Sequence, residues 1–200
     1  MISLSSFAEK TIELQTFYTN EWHTETPRIL PADGLPKLIA SQHEQNFDLW
    51  HEEDKARDPL ASNATIAQVK RNIDAHNQCR NDLITEIDIW LAEHQLAEFQ
   101  NEALPWNSET IGSIIDRLSI ASLKVFHMLE QTERKDVTAD HVTECKAKLA
   151  RLTVQQQDLG TSMQHFMNEI VDGKKQNKLY RQFKMYNDPM LNPKIYSNKT

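Results

Sequence analysis

Hydrophobic positions recur with a helical period over most of the chain. The first such segment runs from Leu4 to Trp22, where one side of a helix would carry Leu4, Phe7, Leu14, Phe17 and Tyr18. A linker follows, marked by Pro27, Pro31, Gly34 and Pro36. Pro36 suits the first turn of a second helix and Asp58-Pro59 must end it, so this helix is predicted over about Pro36 to Arg57.

The third segment has the most regular apolar pattern of the chain. Ser62 or Asn63 suits the cap of a third helix that continues to about Gln100, with an apolar face of Ile66, Val69, Ile73, Leu83, Ile84, Ile87 and Leu91. Asn107 or Ser108 suits the cap of a fourth helix that ends near Arg134. Its apolar face contains Ile111, Ile115, Leu118, Val125, Phe126 and Leu129.

A fifth helix is predicted from about Asp136 or Thr138 to Gly173. Its apolar positions alternate steps of three and four residues, at Val142, Cys145, Leu149, Leu152, Gln156, Leu159, Met163, Phe166 and Ile170. Gly160 weakens the helix locally, so a bend or break is expected there. The regular seam requires a partner helix, which helix one or a second copy of the chain could provide. Packing within one chain is favoured, and a monomer is therefore expected.

Composition agrees with a single all-α domain. Four glycines and seven prolines in 200 residues are few for a sheet protein, and 39% apolar content suffices for one core. The domain is divided into an N-terminal helix and linker (1–35), a bundle core (36–173) and a basic tail (174–200). No apolar run reaches a membrane-spanning length and no leader is evident, which predicts a soluble, cytoplasmic protein. Cys79 and Cys145 are expected to be buried, reduced thiols.

Charge is distributed unevenly along the chain. Residues 1–172 carry a formal charge of −13 and residues 173–200 carry +6, so the body should repel nucleic acid and attract its own tail. A short helix from Leu179 to Met185 and a turn at residues 187–189 are expected in the tail, with Phe183 and Tyr186 to bury. We therefore predict that the tail docks over the polar stripes of helices two and three.

Helix two has an apolar stripe that also contains charged and amide side chains. At about 100° per residue, one side of the helix presents Ile39, His43, Asn46, Trp50, Glu53 and Arg57, with Asp54 at its edge. The opposite side presents Glu44, Asp48, Glu52 and Lys55. If Trp50 faces the core, Glu53 and Arg57 also face it, and they must be paired or hold a ligand.

Helices three and four repeat this arrangement. His76 and Arg80 lie within the apolar face of helix three, beside a stripe of Lys70, Asp74, Asn77, Asn81 and Asp88. Helix four places Asp116, Leu123 and His127 on one side. Three successive helices therefore direct polar groups towards the interior.

Two interpretations of these polar groups remain open. One is a structural network that fixes helix register, with Glu53 paired to Arg80, or Arg57 to Asp74 or Asp88. The other is a ligand pocket between helices, where bundles commonly place their sites. The histidines among these positions, His43, His76 and His127, are each expected to be satisfied core residues rather than ligands.

Known catalytic motifs are absent from the sequence. The string after His51-Glu52 lacks the second histidine of a zinc protease, and no pair of Glu-x-x-His elements indicates a di-iron bundle. No glycine-rich loop indicates a nucleotide-phosphate cradle. Glu130 and Glu133 form a single ExxE element, whereas a helical pyrophosphatase needs paired elements for Mg²⁺.

Four strings of the chain are distinctive, namely NFDLWHEED at 46–54 with Ala56-Arg57, IDAHNQCRND at 73–82, GSIIDRLS at 112–119 and FKMYNDP at 183–189. Together they resemble an uncharacterised bacterial family, the domain of unknown function numbered 4254. The resemblance extends from about Leu35 to Pro193 and implies a small helical protein. It also implies genes that lie near glycosyltransferases of envelope polysaccharide synthesis. These strings coincide with the inward polar stripes, which favours a site there.

The leading hypothesis is a protein that binds, and could act on, a small anionic metabolite such as a phosphorylated sugar or nucleotide-sugar. Arg57, Lys70, Arg80 and Arg117 are the candidate anion ligands, and Asn46, Asn77 and Asn81 would orient the ligand. A general base or Mg²⁺ ligands could come from Glu53, Asp54, Asp74, Asp82 or Asp88, with Trp50 in the wall. The alternative is a non-enzymatic scaffold with a structural polar interior.

Overall fold

A computed structural model describes residues 2–24, 27–180, 190–193 and 197, and over these residues the chain is helical without a β-strand. Its α-helices are α1 (Phe7–Trp22), α2 (Gly34–Ala56), α3 (Asn63–His94), α4 (Ile111–Glu133) and α5 (Ala139–Val171). Two short 3-10 helices, at Leu4–Ser6 and Ala97–Phe99, precede α1 and follow α3. The predicted all-α bundle of about five helices with a long C-terminal helix is confirmed.

Side-chain caps explain where three of the helices begin. Ser62 accepts a hydrogen bond from Thr65 N at 3.1 Å, and Thr138 accepts one from His141 N at 3.2 Å, as the sequence predicted. The cap of α4 is instead Thr110, which accepts from Ser113 N at 3.1 Å, so the predicted cap at Asn107 or Ser108 was wrong. At the end of α5, Gly173 has a φ of 67°, the left-handed conformation typical of a residue that closes a helix.

Three apolar clusters lie between the helices, and the smallest contains Leu49, Val69 and Ile73 between α2 and α3. The largest one contains fully buried residues from all five helices, among them Phe7, Ile39, Ile87, Ile115 and Met163. The intermediate one contains Tyr18, Trp22, Ala40, Phe47 and Leu123, and joins α1 to α2 and α4. Burial of these side chains removes apolar surface from water, and this drives the helices together.

The inward face of α1 differs from the predicted one. Phe17 is 55% exposed, whereas the buried positions include a polar stripe of Thr11, Gln15 and Thr19. The hydroxyls of Thr11 and Thr19 donate to carbonyls one turn earlier, at 2.9 and 2.8 Å. Gln15 Nε2 donates to Ile115 O at 3.0 Å. Each of these three side chains therefore donates a hydrogen bond to a backbone carbonyl, while Gln15 Oε1 is buried without a partner among the described residues.

The apolar seam of α5 packs against α4 and α1 of the same chain, as predicted. Its C-terminal half is the more deeply buried, with Met163, Phe166 and Ile170 at most 3% exposed. The helix is continuous through Gly160, so the break that was one of the two expected effects of this glycine is absent. A Cβ atom at this position would lie 2.8 Å from Ile12 Cδ1, so the glycine allows α1 to approach α5 closely.

The first residues after α5 dock onto the loop before α4. Gln176 Nε2 donates to Glu102 O at 2.9 Å and to Leu104 O at 2.6 Å. Asn177 Oδ1 accepts from Ile111 N at 3.1 Å. Residues 174–180 thus lie at the N-terminal end of α4, where Asn177 also contacts Asp88 of the helix-three polar stripe. The docking predicted for the rest of the tail stays a prediction. The predicted turn and the aromatic residues Phe183 and Tyr186 lie outside the described residues.

Two further findings concern the sequence predictions. Cys145 is buried as expected, whereas Cys79 is exposed, and neither forms a disulfide. Within the described ranges, no helix combines the length and the apolar character that a membrane crossing requires.

Candidate functional site

The carboxylate of Asp116 is the centre of a buried polar network between α2, α3 and α4. Gln42 Nε2 and Asn46 Nδ2 donate to Asp116 Oδ1 at 2.6 and 2.9 Å, and both come from α2, four residues apart. Arg80 of α3 forms an ion pair with the same oxygen, at 3.2 Å from Nε. Burial raises the pKa of Asp116, and the charge of Arg80 and the two amides oppose that rise.

A directional chain of hydrogen bonds connects this centre to α1. Asn46 Nδ2 donates to Ser119 Oγ at 2.9 Å, and Ser119 lies 2.7 Å from His43 Nδ1. On the other side, His43 Nε2 lies 2.8 Å from Thr19 Oγ1, whose proton goes to Gln15 O. Because Thr19 Oγ1 must accept, His43 donates through Nε2 and accepts from Ser119 through Nδ1. Burial lowers the pKa of His43 to about 3, in agreement with a neutral ring.

A cavity of about 370 Å³ opens beside this network, at the junction of α2, α3 and α4. Its wall is formed by Asn46, Leu49, Trp50, Glu53, Arg57, Asn77, Arg80, Ile120 and Leu123. Asn46 and Arg80 belong to both the network and the cavity. The two interpretations made from the sequence therefore apply to neighbouring parts of one region, with the network inside and the cavity outside.

Arg80 is the charged residue that lies between the buried network and the cavity. Its side chain is 24% exposed, Nε faces Asp116, and Nη1 donates to Asn77 Oδ1 at 3.2 Å. Nη2 makes no hydrogen bond to any described residue. A guanidinium carries five donor hydrogens in one plane, so Arg80 retains donor capacity on the cavity side of its ion pair.

The rim of the cavity carries an exposed ion pair and an aromatic ring. Arg57 Nη2 lies 3.0 Å from Glu53 Oε2, one helical turn earlier, and the Arg57 side chain is 67% exposed. Trp50 stacks on the ring of His127, with 4.5 Å between ring centroids and 10° between planes. His127 thereby fixes the indole that forms part of the cavity wall.

Six of the side chains proposed from the sequence line this cavity, namely Asn46, Trp50, Glu53, Arg57, Asn77 and Arg80. The ion pairs differ from those predicted, because Arg80 pairs with Asp116 and not with Glu53, and Arg57 pairs within its own helix. Pairing between helices depends on their relative rotation and height, which a single helix pattern does not contain.

The other proposed residues lie outside the cavity wall. Lys70 pairs with Asp74 along the surface of α3, and Asp82 accepts from Gln78 at 2.8 Å. Asn81 donates to Asn77 O at 2.8 Å, Arg117 pairs with Glu109 at 2.9 Å, and Asp54 is exposed at the end of α2.

Asp88, the remaining candidate, holds the first turn of α4. Its Oδ1 accepts from Gly112 N at 2.8 Å and from Asn177 Nδ2 at 3.3 Å. A carboxylate at this position satisfies free N–H groups and interacts favourably with the helix dipole. Burial raises the pKa of Asp88, and its hydrogen bonds to the side chain of Thr110, to Gly112 N and to Asn177 oppose that rise.

Glu52 is buried although the sequence placed it on the solvent side of α2. Its Oε2 accepts from Asn72 Nδ2 of α3 at 3.0 Å, and its Oε1 accepts from Lys55 at 2.6 Å, which lowers the pKa of Glu52. The reason is that α3 packs along α2 and covers a second face of it. Gln42 and Ser119 were also missed, because neutral polar residues on a buried face resemble solvent-facing ones in sequence.

The proposed Mg²⁺ ligands do not come together. Among the described residues, the acidic candidates form no group of three side chains with ligand oxygens close enough to share one ion. Glu53 is the one carboxylate in the cavity wall.

The comparison with known proteins identifies a family without an assigned activity. The family model described as "Protein of unknown function (DUF4254)" matches residues 36–179, which include all residues of the cavity wall. No curated protein and no solved structure gives a significant match to the chain.

Proposed function

We propose that this chain, which belongs to the DUF4254 family of proteins of unknown function, binds a small phosphorylated sugar in the cavity between α2, α3 and α4. The observation that carries this proposal is the placement of Arg80, a half-buried guanidinium at the cavity wall that is fixed by Asp116. Nucleotide-sugars form a second, larger ligand class with the same anionic chemistry.

Arg80 supports anion binding because it is oriented before a ligand arrives. The ion pair with Asp116 and the hydrogen bond to Asn77 hold the guanidinium plane, so less side-chain freedom is lost on binding. A phosphate can accept two parallel hydrogen bonds from such a plane. In this role Asp116 positions Arg80 and does not contact the ligand.

Arg57 supplies a second cation at little energetic cost. Its ion pair with Glu53 is solvent-exposed, and exposed pairs of this spacing contribute only about 0.3–0.5 kcal/mol. Arg57 can therefore turn from Glu53 to a phosphate oxygen. The carboxylates Glu53 and Asp116 balance the charges of Arg57 and Arg80. An anionic ligand would therefore be held by directed hydrogen bonds from the two guanidinium groups and not by a net positive charge.

The rest of the wall suits the uncharged part of a sugar. Trp50 supplies a fixed aromatic surface, while Asn46 and Asn77 supply amides that exchange hydrogen bonds with hydroxyl groups. A volume of about 370 Å³ lies near the lower end of the range for ligand sites, which favours a sugar phosphate over a nucleotide-sugar. Such a ligand fits the link to envelope polysaccharide synthesis that the sequence resemblance implies.

A reaction on this ligand would depend on Glu53. It is the carboxylate of the cavity wall and the candidate general base, whereas Asp54 and Asp82 lie away from the wall. The alternative function is a scaffold in which the whole polar region is structural. The hydrogen-bonded network around Asp116 and His43 favours that alternative for the inner part alone, because its bonds form between side chains of the protein and do not involve the open cavity.

Thermal shift of the purified full-length protein tests the proposal. Sugar phosphates, nucleotide-sugars and inorganic phosphate are each added with and without Mg²⁺, and the unphosphorylated sugar serves as the control. A ligand at 100 times its Kd stabilises the folded state by about 2.7 kcal/mol, which is easily seen as a higher Tm. No response to any phosphorylated compound would favour the scaffold.

Matched variants locate the binding. Arg80→Met should abolish the response, with a change in stability that is measured separately because Asp116 loses its cation. Arg117→Met is the control, since Arg117 is exposed and pairs with Glu109 outside the cavity wall. Equal ligand responses in both variants would show that the anion does not bind at Arg80.

A further inference from the structure

Three histidines from different parts of the chain meet beside α1, α2 and α4. His23 follows the last residue of α1, His51 lies in α2 and His127 lies in α4. One ring nitrogen of each lies within 4.8 Å of those of the other two. Among the described residues this is the one group of three side chains able to share a metal ion, and the cavity proposed above does not include it.

Hydrogen bonds at Nδ1 determine which ring nitrogen carries the hydrogen in two of these histidines. His23 Nδ1 lies 2.6 Å from Thr19 O, and His127 Nδ1 lies 2.7 Å from Glu130 Oε2. A carbonyl and a carboxylate can only accept, so both Nδ1 atoms carry hydrogen. The lone pair of each neutral ring is then on Nε2, the atom that would bind a metal.

Those two Nε2 atoms are buried, and neither has a hydrogen-bond partner among the described residues. Buried polar atoms are nearly always paired, so two unpaired nitrogens in one cluster require an explanation. The pair formed by His127 and Glu130 has the carboxylate–histidine arrangement that orients ligands in metal sites. A shared cation would satisfy both Nε2 atoms at once.

The surroundings of the cluster hold the rings and limit access of water. His23 stacks on Phe126 with 4.0 Å between centroids, His127 stacks on Trp50, and Phe47 contacts both His23 and His51. The nearby guanidinium of Arg28 is paired with Asp48 at 2.7 Å and Glu44 at 3.6 Å. Its positive charge is therefore compensated by two carboxylates.

We propose that His23, His51 and His127 bind one divalent transition-metal ion of the Zn²⁺ class. Three neutral imidazoles suit zinc, copper, nickel and ferrous iron, whereas Mg²⁺ and Ca²⁺ require oxygen ligands. Three protein ligands leave one coordination position for water or another small ligand. The ion would connect the end of α1 to α2 and α4.

The side chains need only a small movement to close around the ion. Bonds of ~2.0–2.1 Å in a tetrahedral site place nitrogens roughly 3.3–3.4 Å apart, so closure from within 4.8 Å requires shifts of less than about 1 Å per ring. Rotation about the side-chain torsions can supply such shifts without movement of the helices.

The test uses the full-length protein after removal of metal with a chelator. Co²⁺ is titrated in as a spectroscopic substitute for Zn²⁺, and Zn²⁺ then displaces it. The expected result is a visible spectrum of tetrahedral Co²⁺ that saturates at one ion per chain, with no effect of Mg²⁺. The absence of a saturable spectrum would overturn the proposal.

Two pairs of variants assign the ligands. His127→Gln should abolish the spectrum, while His94→Gln should not. His94 is a matched control because its Nδ1 also bonds an oxygen acceptor on its own helix, here Trp90 O at 3.0 Å, and its ring also stacks on a tryptophan. An unchanged spectrum in His127→Gln, with circular dichroism like that of the wild type, would contradict the assignment.

Glu130→Gln tests whether the Glu130 carboxylate orients His127 as a metal ligand. This substitution leaves the buried histidine in place. Loss of such a carboxylate typically weakens metal affinity about 10–100-fold. Glu133→Gln is the control, since this glutamate is also exposed and lies one turn later in α4. Equal affinities in both variants would overturn the role of His127 Nε2 as a ligand.

Discussion

The imidazole of His43 is held in one protonation state by neighbours on both sides. Thr19 must accept its Nε2 proton, and Ser119 donates to Nδ1 while it accepts from Asn46. A second proton on His43 would disturb this order and place a charge where the side chain has no exposure. The stability of the fold should therefore depend on pH through this residue.

We expect the free energy of unfolding to decrease as the pH falls from about 6.5 towards 4. Burial lowers the pKa of His43 to about 3 in the folded state, so in this window the unfolded chain binds a proton that the folded chain does not. The contribution of His43 is complete above its ordinary pKa of 6.5 and decreases by up to about 1.4 kcal/mol per pH unit below it. Urea unfolding at several pH values measures it.

The control is His43→Gln, which removes the titrating group. Its stability is lower than that of the wild type at pH 7, but the difference between the two should narrow as the pH falls. Burial raises the pKa of Asp88 and Asp116, and these groups act in the opposite direction in both proteins, so they cancel in the difference. A constant difference from pH 7 to 4 would contradict the neutral state of His43.

Single residues also show what the sequence could and could not predict. The period of α2 alone correctly grouped Asn46, Trp50 and Glu53, because residues on one helical face remain together in any fold. The partner of Arg80 could not be found in this way, since it lies on α4 and depends on how two helices are placed. Lys70 and Arg117, which were proposed as anion ligands, lie outside this cavity wall because one edge of each apolar face stays in solvent.

At the scale of helices, glycine positions reveal the closest contacts. The first turn of α4 lies so near α3 that a Cβ atom on Gly112 would be 2.6 Å from Ile84 O and 2.8 Å from Asp88 Oδ2. This approach lets Asp88 accept from Gly112 N. The bounds of α2, α4 and α5 were predicted to within a few residues, whereas α3 ends at His94 and not near Gln100. The close approaches require the packed structure.

Gly112→Ala should destabilise the fold by roughly 1–3 kcal/mol, because a backbone carbonyl and a buried carboxylate must move to admit the methyl group. Gly160→Ala is the matched control. Its new methyl group would meet only the tip of the flexible Ile12 side chain, and alanine favours the helix by about 1 kcal/mol. Chemical denaturation of the three proteins measures both effects. A Gly112→Ala protein as stable as Gly160→Ala would contradict this account of the α3–α4 contact.

For the molecule as a whole, the segment after α5 makes contacts that the charge pattern could not specify. Opposite charges predicted that the tail would meet the acidic body, but charge has little directionality and does not specify where. Residues 176 and 177 dock by amide hydrogen bonds to the loop at 102–106 and to the N-terminus of α4. These positions are away from the cavity wall.

Truncation after Gly173 should therefore lower the stability but preserve ligand binding. It removes the hydrogen bonds of Gln176 to Glu102 O and Leu104 O and those of Asn177 to Ile111 N and Asp88, at about 1 kcal/mol for each bond. Truncation after Tyr180 is the control, because it keeps these contacts, and the difference in stability between the two truncated proteins isolates them.

Thermal unfolding with and without sugar phosphate measures both the stability and the ligand response of each truncated protein. Residues 174–180 also contribute the ion pairs of Lys174 with Asp172 and of Lys175 with Glu169, so high salt should reduce the difference in stability only by the small contribution of those exposed pairs. If truncation after Gly173 instead abolishes the ligand response while truncation after Tyr180 preserves it, residues 174–180 take part in the site, and the cavity alone does not account for binding.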